Sequence, residues 1–154
     1  MVAAQEGHIE ACKKLIDYHA SLNAIDRRGT SALYEAARNG HDEIMELFME
    51  HGAKLCMKEP VAASLICQTV FDGDTLLLSR LLRANIQVNA ADYDGRTAAH
   101  IAASEVNLVA LKTLVKHGAD LSLRDRWENT PMDDAIKVKA SRIIEYLESV
   151  EQTT

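Results

Sequence analysis

The chain has 154 residues, one domain's worth, and 47% of them are apolar, enough for a buried core. Seventeen Lys and Arg against twenty-three Asp and Glu leave a net charge of −6, which disfavours general nucleic-acid binding. No apolar run approaches the ~18 residues that span a bilayer, no basic and apolar leader opens the chain, and the three cysteines without a C-x-x-C pair read as a reducing, intracellular setting.

The sequence repeats every 33 residues without an insertion or deletion, the signature of an array of stacked modules. Leu15, Phe48, Leu81, Leu114 and Leu147 hold one column; Ser31, Ser64, Thr97 and Thr130 hold another. A third runs through Gly7, Gly40 and Gly73 and continues as Val106 and Lys139. The units are Met1–Ile25, Asp26–Lys58, Glu59–Ala91, Asp92–Arg124 and Asp125–Thr154, together a single domain over 1–154.

The first unit is truncated, because Met1 falls on the histidine column. It reads as a piece of a longer protein or an array continued upstream; the alternative is a native half-cap. The second unit is regular, with a turn at Arg27-Arg28-Gly29, a helix over Ser31–Asn39 and another over Asp42–Glu50. In that second helix Ile44, Leu47, Phe48 and Met49 face one way and Glu43, Glu46 and Glu50 the other. Gly40 stands where a left-handed helix end is expected. The third unit lacks the turn glycine and the histidine, and an altered protruding turn is expected there. Leu65, Ile66, Val70, Leu77, Leu78, Leu81 and Leu82 remain placed for a core.

The fourth unit opens with a polar turn, Asp92-Tyr93-Asp94-Gly95, then Thr97 as a helix N-cap. Val106 replaces the expected glycine. A β-branched residue resists positive φ, so Asn107 is expected to take the left-handed position. In the fifth unit Thr130-Pro131 is a helix start, hydroxyl then proline. Its outer helix carries Arg142, Glu145, Glu148 and Glu151 on a polar face, as a terminal cap should, and Gln152-Thr153-Thr154 is expected to fray.

Gly95-x-Thr97-x-x-His100, Thr130-Pro131-Met132, Gly40-His41 and Gly52-Ala53 resemble the signatures of the ankyrin repeat family, and the resemblance covers essentially the whole chain. It implies an all-α ankyrin-repeat solenoid of helix-turn-helix units with protruding β-turn or hairpin tips. It also implies that His100 braces its turn by local hydrogen bonds. Leu65-Ile66-Cys67, Asp72-Gly73-Asp74, Leu81-Leu82-Arg83, Asp92–Thr97, Ala102–Glu105 and Asp125–Pro131 are similar to the cytoplasmic ankyrin domain of plant shaker-type potassium channels, especially the outward rectifiers. The block Asp125–Ala135 is equally similar to the ankyrin tail of kidney-type glutaminases. The chain departs from both at Ala98-Ala99, Val106, Glu128 and Lys139.

Repeat phase explains nearly all six histidines, and no histidine pair on one helix face joins carboxylates at zinc-like spacing. Phe71-Asp72-Gly73-Asp74 reads as an interhelix turn, not a phosphate loop. Cys12 and Cys67 read as packing. No catalytic residue, cofactor or metal site is expected. What remains is a surface. The resemblance implies a protein partner held by the turn tips and the concave face of the first helices, with Arg27, Arg28, Arg38, Tyr93, Asp94, Arg96, Arg126 and Trp127 as the sites. Pro60, Val61, Phe71 and Asp72 are the matching positions of the third unit. Tyr, Trp and Arg dominate binding hot spots. Alternatively, Trp127 stiffens the array and the arginines pair with Asp94 and Asp125.

The expected function is a non-catalytic interaction or regulatory module. It is read as cytoplasmic, part of a larger protein such as a potassium channel, and oligomeric only through that parent. The alternatives are the tail of a glutaminase or asparaginase-like amidohydrolase, or a free-standing scaffold.

Overall fold

The computed structural model describes residues 1–152, without the side chain of Glu151. The expected fraying of Thr153 and Thr154 and the outward placement of Glu151 lie outside the described residues. Ten helices are present among them, in five pairs: α1 (Val2–Gln5) with α2 (Ile9–Asp17), α3 (Ala32–Asn39) with α4 (Asp42–Glu50), α5 (Glu59–Phe71) with α6 (Thr75–Arg83), α7 (Ala98–Ser104) with α8 (Leu108–Lys116), and α9 (Pro131–Lys137) with α10 (Ser141–Glu151). Residues 1–58 and 79–86 form one compact unit, and residues 59–78 and 87–154 a second.

In the first compact unit α1 packs on α3, and α2 and α3 on α4. Ala36 and Ala37 are fully buried; their methyl groups let short helices approach closely. In α4 the buried face is Ile44, Met45 and Phe48, while Leu47 and Met49 are half-buried. Met45 is the core member that the sequence reading passed over. Leu81, Leu82 and Ile86 complete this core. Arg80 grips Asp42 with two parallel bonds of 3.0 Å, and Arg83 donates to Glu46 at 2.9 Å. The guanidinium of Arg80 holds the Asp42 carboxyl below its ordinary range. His41 reaches the carbonyl of Gln5 at 2.9 Å.

In the second unit α7 is central and packs on α5, α8 and α9, and α9 packs on α10. Ala98, Ala99, Ala102 and Ala103 form the tight face of α7. Leu111, Leu114, Ile143 and Leu147 supply bulk from the outer helices. Each fully buried leucine contributes roughly 1.5–3 kcal/mol relative to exposure.

The link between paired helices is the same in every repeat. Gly40 N–H reaches Ala37 at 3.3 Å and His41 N–H reaches Ala36 at 2.9 Å; Val106 and Asn107 bond to Ala103 and Ala102 at 3.3 and 2.8 Å. That ladder fixes which residue is left-handed. Gly7, Gly40 and Gly73 adopt φ of 77°, 79° and 71°, and Val106 and Lys139 follow at 57° each. The expectation for Asn107 is thereby corrected. Asn107 has φ of −91° and caps α8, its side-chain oxygen accepting the Ala110 N–H. Moving the left-handed residue one place along would break both ladder bonds, so Val106 carries the strain.

The third repeat brings a second correction. It has no protruding turn. α5 begins at Glu59 and runs for 13 residues, through the positions that form tips elsewhere. Glutamate replaces the tip aspartate and Ala62 the tip glycine, while Pro60 suits a first helical turn.

Candidate functional site

Three tips are built alike. Asp26, Asp92 and Asp125 each lend Oδ1 to two main-chain N–H groups, two and four residues on, at 2.8–2.9 Å. A turn closes inside each, the N–H of Gly29, Gly95 and Glu128 donating to the aspartate carbonyl. Antiparallel bridges Ile25–Ser31 and Ala91–Thr97 seal the first two as minimal hairpins. The Thr30 N–H holds the Asp26 carboxyl below its ordinary range. At Asp125 burial pushes the carboxyl up, but the N–H groups of Asn129 and Trp127 outweigh it and the net shift is downward.

Within the second compact unit two tips stack. The Arg126 N–H donates to the Asp94 carbonyl at 2.8 Å, and Arg126 Nη1 to Asp94 Oδ1 at 2.6 Å. The guanidinium lies 4.6 Å from the centre of the Trp127 ring, an attractive cation–π arrangement. Gly95 makes this contact possible: a Cβ there would sit 3.3 Å from the Asp125 Cα and 3.4 Å from the Arg126 nitrogen.

Asp94, Arg126 and Trp127 are thus brought together. Arg96 is not part of that group, and it does not pair with Asp125. Its Nη2 turns back to Ser104 at 3.0 Å and Asp134 at 3.2 Å, joined by Lys137 at 3.4 Å. Arg96, Asp134 and Lys137, with Asp125, Trp127 and Asn129, surround a polar depression of about 480 Å³. Trp127 keeps 56% of its surface exposed and Tyr93 all of it.

Arg27, Arg28 and Arg38 are exposed and form no ion pair among the described residues. Arg27 and Arg28 sit on the first tip, and Arg38 in the last turn of α3. Helical rise puts Arg38 about 10 Å along the axis from Ser31.

Four of the six histidines, His41, His51, His100 and His117, make hydrogen bonds within the scaffold. His100 is fully buried: its Nδ1 accepts the Thr97 N–H at 3.1 Å, and its Nε2 meets the Asn129 carbonyl at 3.0 Å. A carbonyl only accepts, so the neutral ring carries its proton on Nε2. In the fifth repeat Asp133 does the same for Thr130, accepting its N–H at 2.8 Å. His51 and His117 each cap their own helix through Nδ1, at 2.8 Å from the Leu47 and Thr113 carbonyls. No group of metal-binding side chains occurs among the described residues.

A groove of about 490 Å³ runs beside the tip of the fourth repeat, lined by Pro60, Ser64, Cys67, Gln68, Phe71 and Tyr93, among others. The sequence reading named Pro60 and Phe71 but not Ser64, Cys67 or Gln68, which become a wall only because α5 replaces the turn. Burial pushes the Cys67 thiol up to about 12, and the Asp92 carboxylate adds to the effect.

Helix pairs recurring at one sequence period, with aromatic and guanidinium groups exposed on turn tips, define a repeat protein. A family model described as ankyrin repeats, in three copies, matches residues 1–59 and 65–152, and the chain belongs to that family. The unmatched stretch falls where α5 takes the place of the turn.

Potassium channel KOR2 of Oryza sativa subsp. japonica is 40% identical over 177 residues, covering 95% of this chain and 25% of that protein. Potassium channel GORK of Arabidopsis thaliana is 40% identical over 89 residues, 58% of this chain and 11% of the channel. The L-asparaginase of Dirofilaria immitis is 32% identical over 105 residues, 68% of this chain and 18% of the enzyme. The likeness to plant potassium channels expected from the sequence is therefore found, and the chain spans a quarter or less of each of these relatives. No described helix is long and apolar enough to cross a membrane.

Proposed function

We propose that this chain is a non-catalytic protein-binding module, cytoplasmic, and a regulatory part of a larger protein such as a potassium channel. The observation that carries the reading is the Asp94–Arg126–Trp127 group on two stacked tips, with Tyr93 fully exposed beside it. An aromatic plane and an oriented guanidinium form a rigid patch that loses little side-chain entropy on binding. Arg27, Arg28 and Arg38, in the first compact unit, add exposed positive charge in an acidic chain and suit an acidic partner. The whole of residues 1–154 acts as one domain in this reading. Any oligomer forms through the parent.

The test is capture from cell extract by the purified chain, against the Arg126→Ala/Trp127→Ala double variant. Loss of one captured protein, with the helical circular dichroism unchanged, supports the reading. An identical set of captured proteins sinks it. The asparaginase relative motivates a second reading, the non-catalytic tail of an amidohydrolase. It predicts that the captured protein is an enzyme subunit rather than a channel.

A further inference from the structure

The tips of the fourth and fifth repeats make a contact that the tip of the fourth repeat lacks on its other side. Arg126 N–H is satisfied by the Asp94 carbonyl. The equivalent donor one repeat earlier is the Tyr93 N–H, and the equivalent acceptor is the Val61 carbonyl. Val61 lies inside α5, so no tip stands there. The Tyr93 N–H has no partner among the described residues. The vacancy has walls. α5 contributes Ser64, Cys67, Gln68 and Phe71 along one side, and the tip contributes Asp92 and Tyr93 on the other. Phe71 and Tyr93 are 61% and 100% exposed, so both rings are open to an occupant.

The groove also has a sign. Asp92 Oδ1 is used by the Asp94 and Arg96 N–H groups, but Oδ2 has no partner among the described residues. Among the described residues no cation lines the groove, and the guanidinium on the same tip, Arg96, is committed to Ser104 and Asp134.

We propose that this groove takes an extended segment of a partner protein bearing a lysine or arginine next to aliphatic side chains. A carbonyl of the segment receives the Tyr93 N–H, as Asp94 receives Arg126, and so replaces the missing tip. The aliphatic groups lie on Pro60, Phe71 and Tyr93. The cation meets Asp92 Oδ2. This rests on the reading of the tips as a protein-binding surface and assigns the ligand chemistry of one part of it.

The test uses the whole chain as bait for a displayed library of random short peptides, followed by fluorescence anisotropy of enriched peptides. The key comparison is Tyr93→Ala with Tyr93→Pro. Both remove the ring, and only proline removes the N–H. Proline is tolerated at the second place of the turn that Gly95 closes on Asp92, and circular dichroism verifies the fold. Enriched peptides should carry Lys or Arg beside aliphatic residues and weaken against Phe71→Ala. They should bind Tyr93→Pro about fivefold more weakly than Tyr93→Ala, the effect of one hydrogen bond. No enrichment, acidic consensus sequences, or equal affinity for the alanine and proline variants would overturn the assignment.

Peptides that respond only to Arg126→Ala and Trp127→Ala would overturn the groove while leaving the tip surface standing. Self-association abolished by Phe71→Ala, with no peptide bound, would hand the groove to a second copy and overturn it too. The capture experiment with the double variant fails or succeeds separately.

Discussion

Arg126 holds Asp94 twice, with its main-chain N–H on the carbonyl and its Nη1 on the carboxylate. The two bonds differ in what they support. The main-chain bond fixes tip against tip. The ion pair is largely exposed, at 61% and 41% for the two side chains, and contributes little to stability. A double-mutant cycle with Asp94→Asn and Arg126→Ala should give a coupling of about 0.2–1 kcal/mol in urea unfolding. A coupling of several kcal/mol would make the pair a structural element and weaken its assignment to binding.

Backbone strain predicts two substitutions of opposite sign. Val106→Gly removes a β-branched side chain from φ of 57° and should raise stability by roughly 0.5–1 kcal/mol, after the unfolded-chain entropy of glycine is set against the relief. Gly95→Ala puts a Cβ against the Asp125 backbone at φ of 74° and should lower it by roughly 1–3 kcal/mol. Urea midpoints read both.

His100→Ala should be among the most damaging single changes. It orphans the Thr97 N–H, takes one of two donors from the Asn129 carbonyl and leaves a buried void, together about 2–4 kcal/mol. A melting temperature unchanged by the substitution would refute the bracing role.

The tip aspartates set the acid limit. Asp26 and Asp125 are held below their ordinary values in the folded chain. A group lowered on folding stabilises fully above its unfolded pKa, about 3.9 for aspartate. The contribution fades as pH falls from there through the folded value. Stability should therefore be flat with respect to these groups at neutral pH and fall below about pH 4. Asp125→Asn should be less stable than the parent at pH 7 and show a shallower loss in acid. Equal slopes for the two proteins would count against the assignment.

Thiol labelling separates the cysteines. Cys56 is exposed, whereas Cys12 and Cys67 are buried. Burial raises the thiols of both buried residues. Maleimide should modify one thiol quickly in the folded chain and the other two only on unfolding. Rapid labelling of Cys67 would mean that its groove admits reagent freely.

Much of this was legible from the period alone. The columns located all five helix pairs, the buried alanines, and a structural purpose for His51, His100 and His117, because residues at matching places in a repeat meet matching neighbours. What periodicity could not show were departures from itself. At Val106 propensity pointed to Asn107, yet the two ladder bonds to Ala102 and Ala103 outweighed it. At Glu59–Ala62 the sequence signalled a damaged turn, but not that the chain would wind into helix instead. Arg96 belongs to the tip by position and to Asp134 by geometry. Side-chain reach across a repeat boundary is a three-dimensional property that a column does not encode.

The left-handed links carry a consequence for how such a chain can change length. Excising Asp92–Arg124 as a block would join Ala91 to Asp125, which offers the same carboxylate to the same two amide donors in the tip that follows. A cut one residue longer or shorter would change the spacing between Gly73 and Lys139, the left-handed links on either side of the join. Whole-module duplication and loss, rather than piecemeal growth, is the evolutionary route the backbone leaves open.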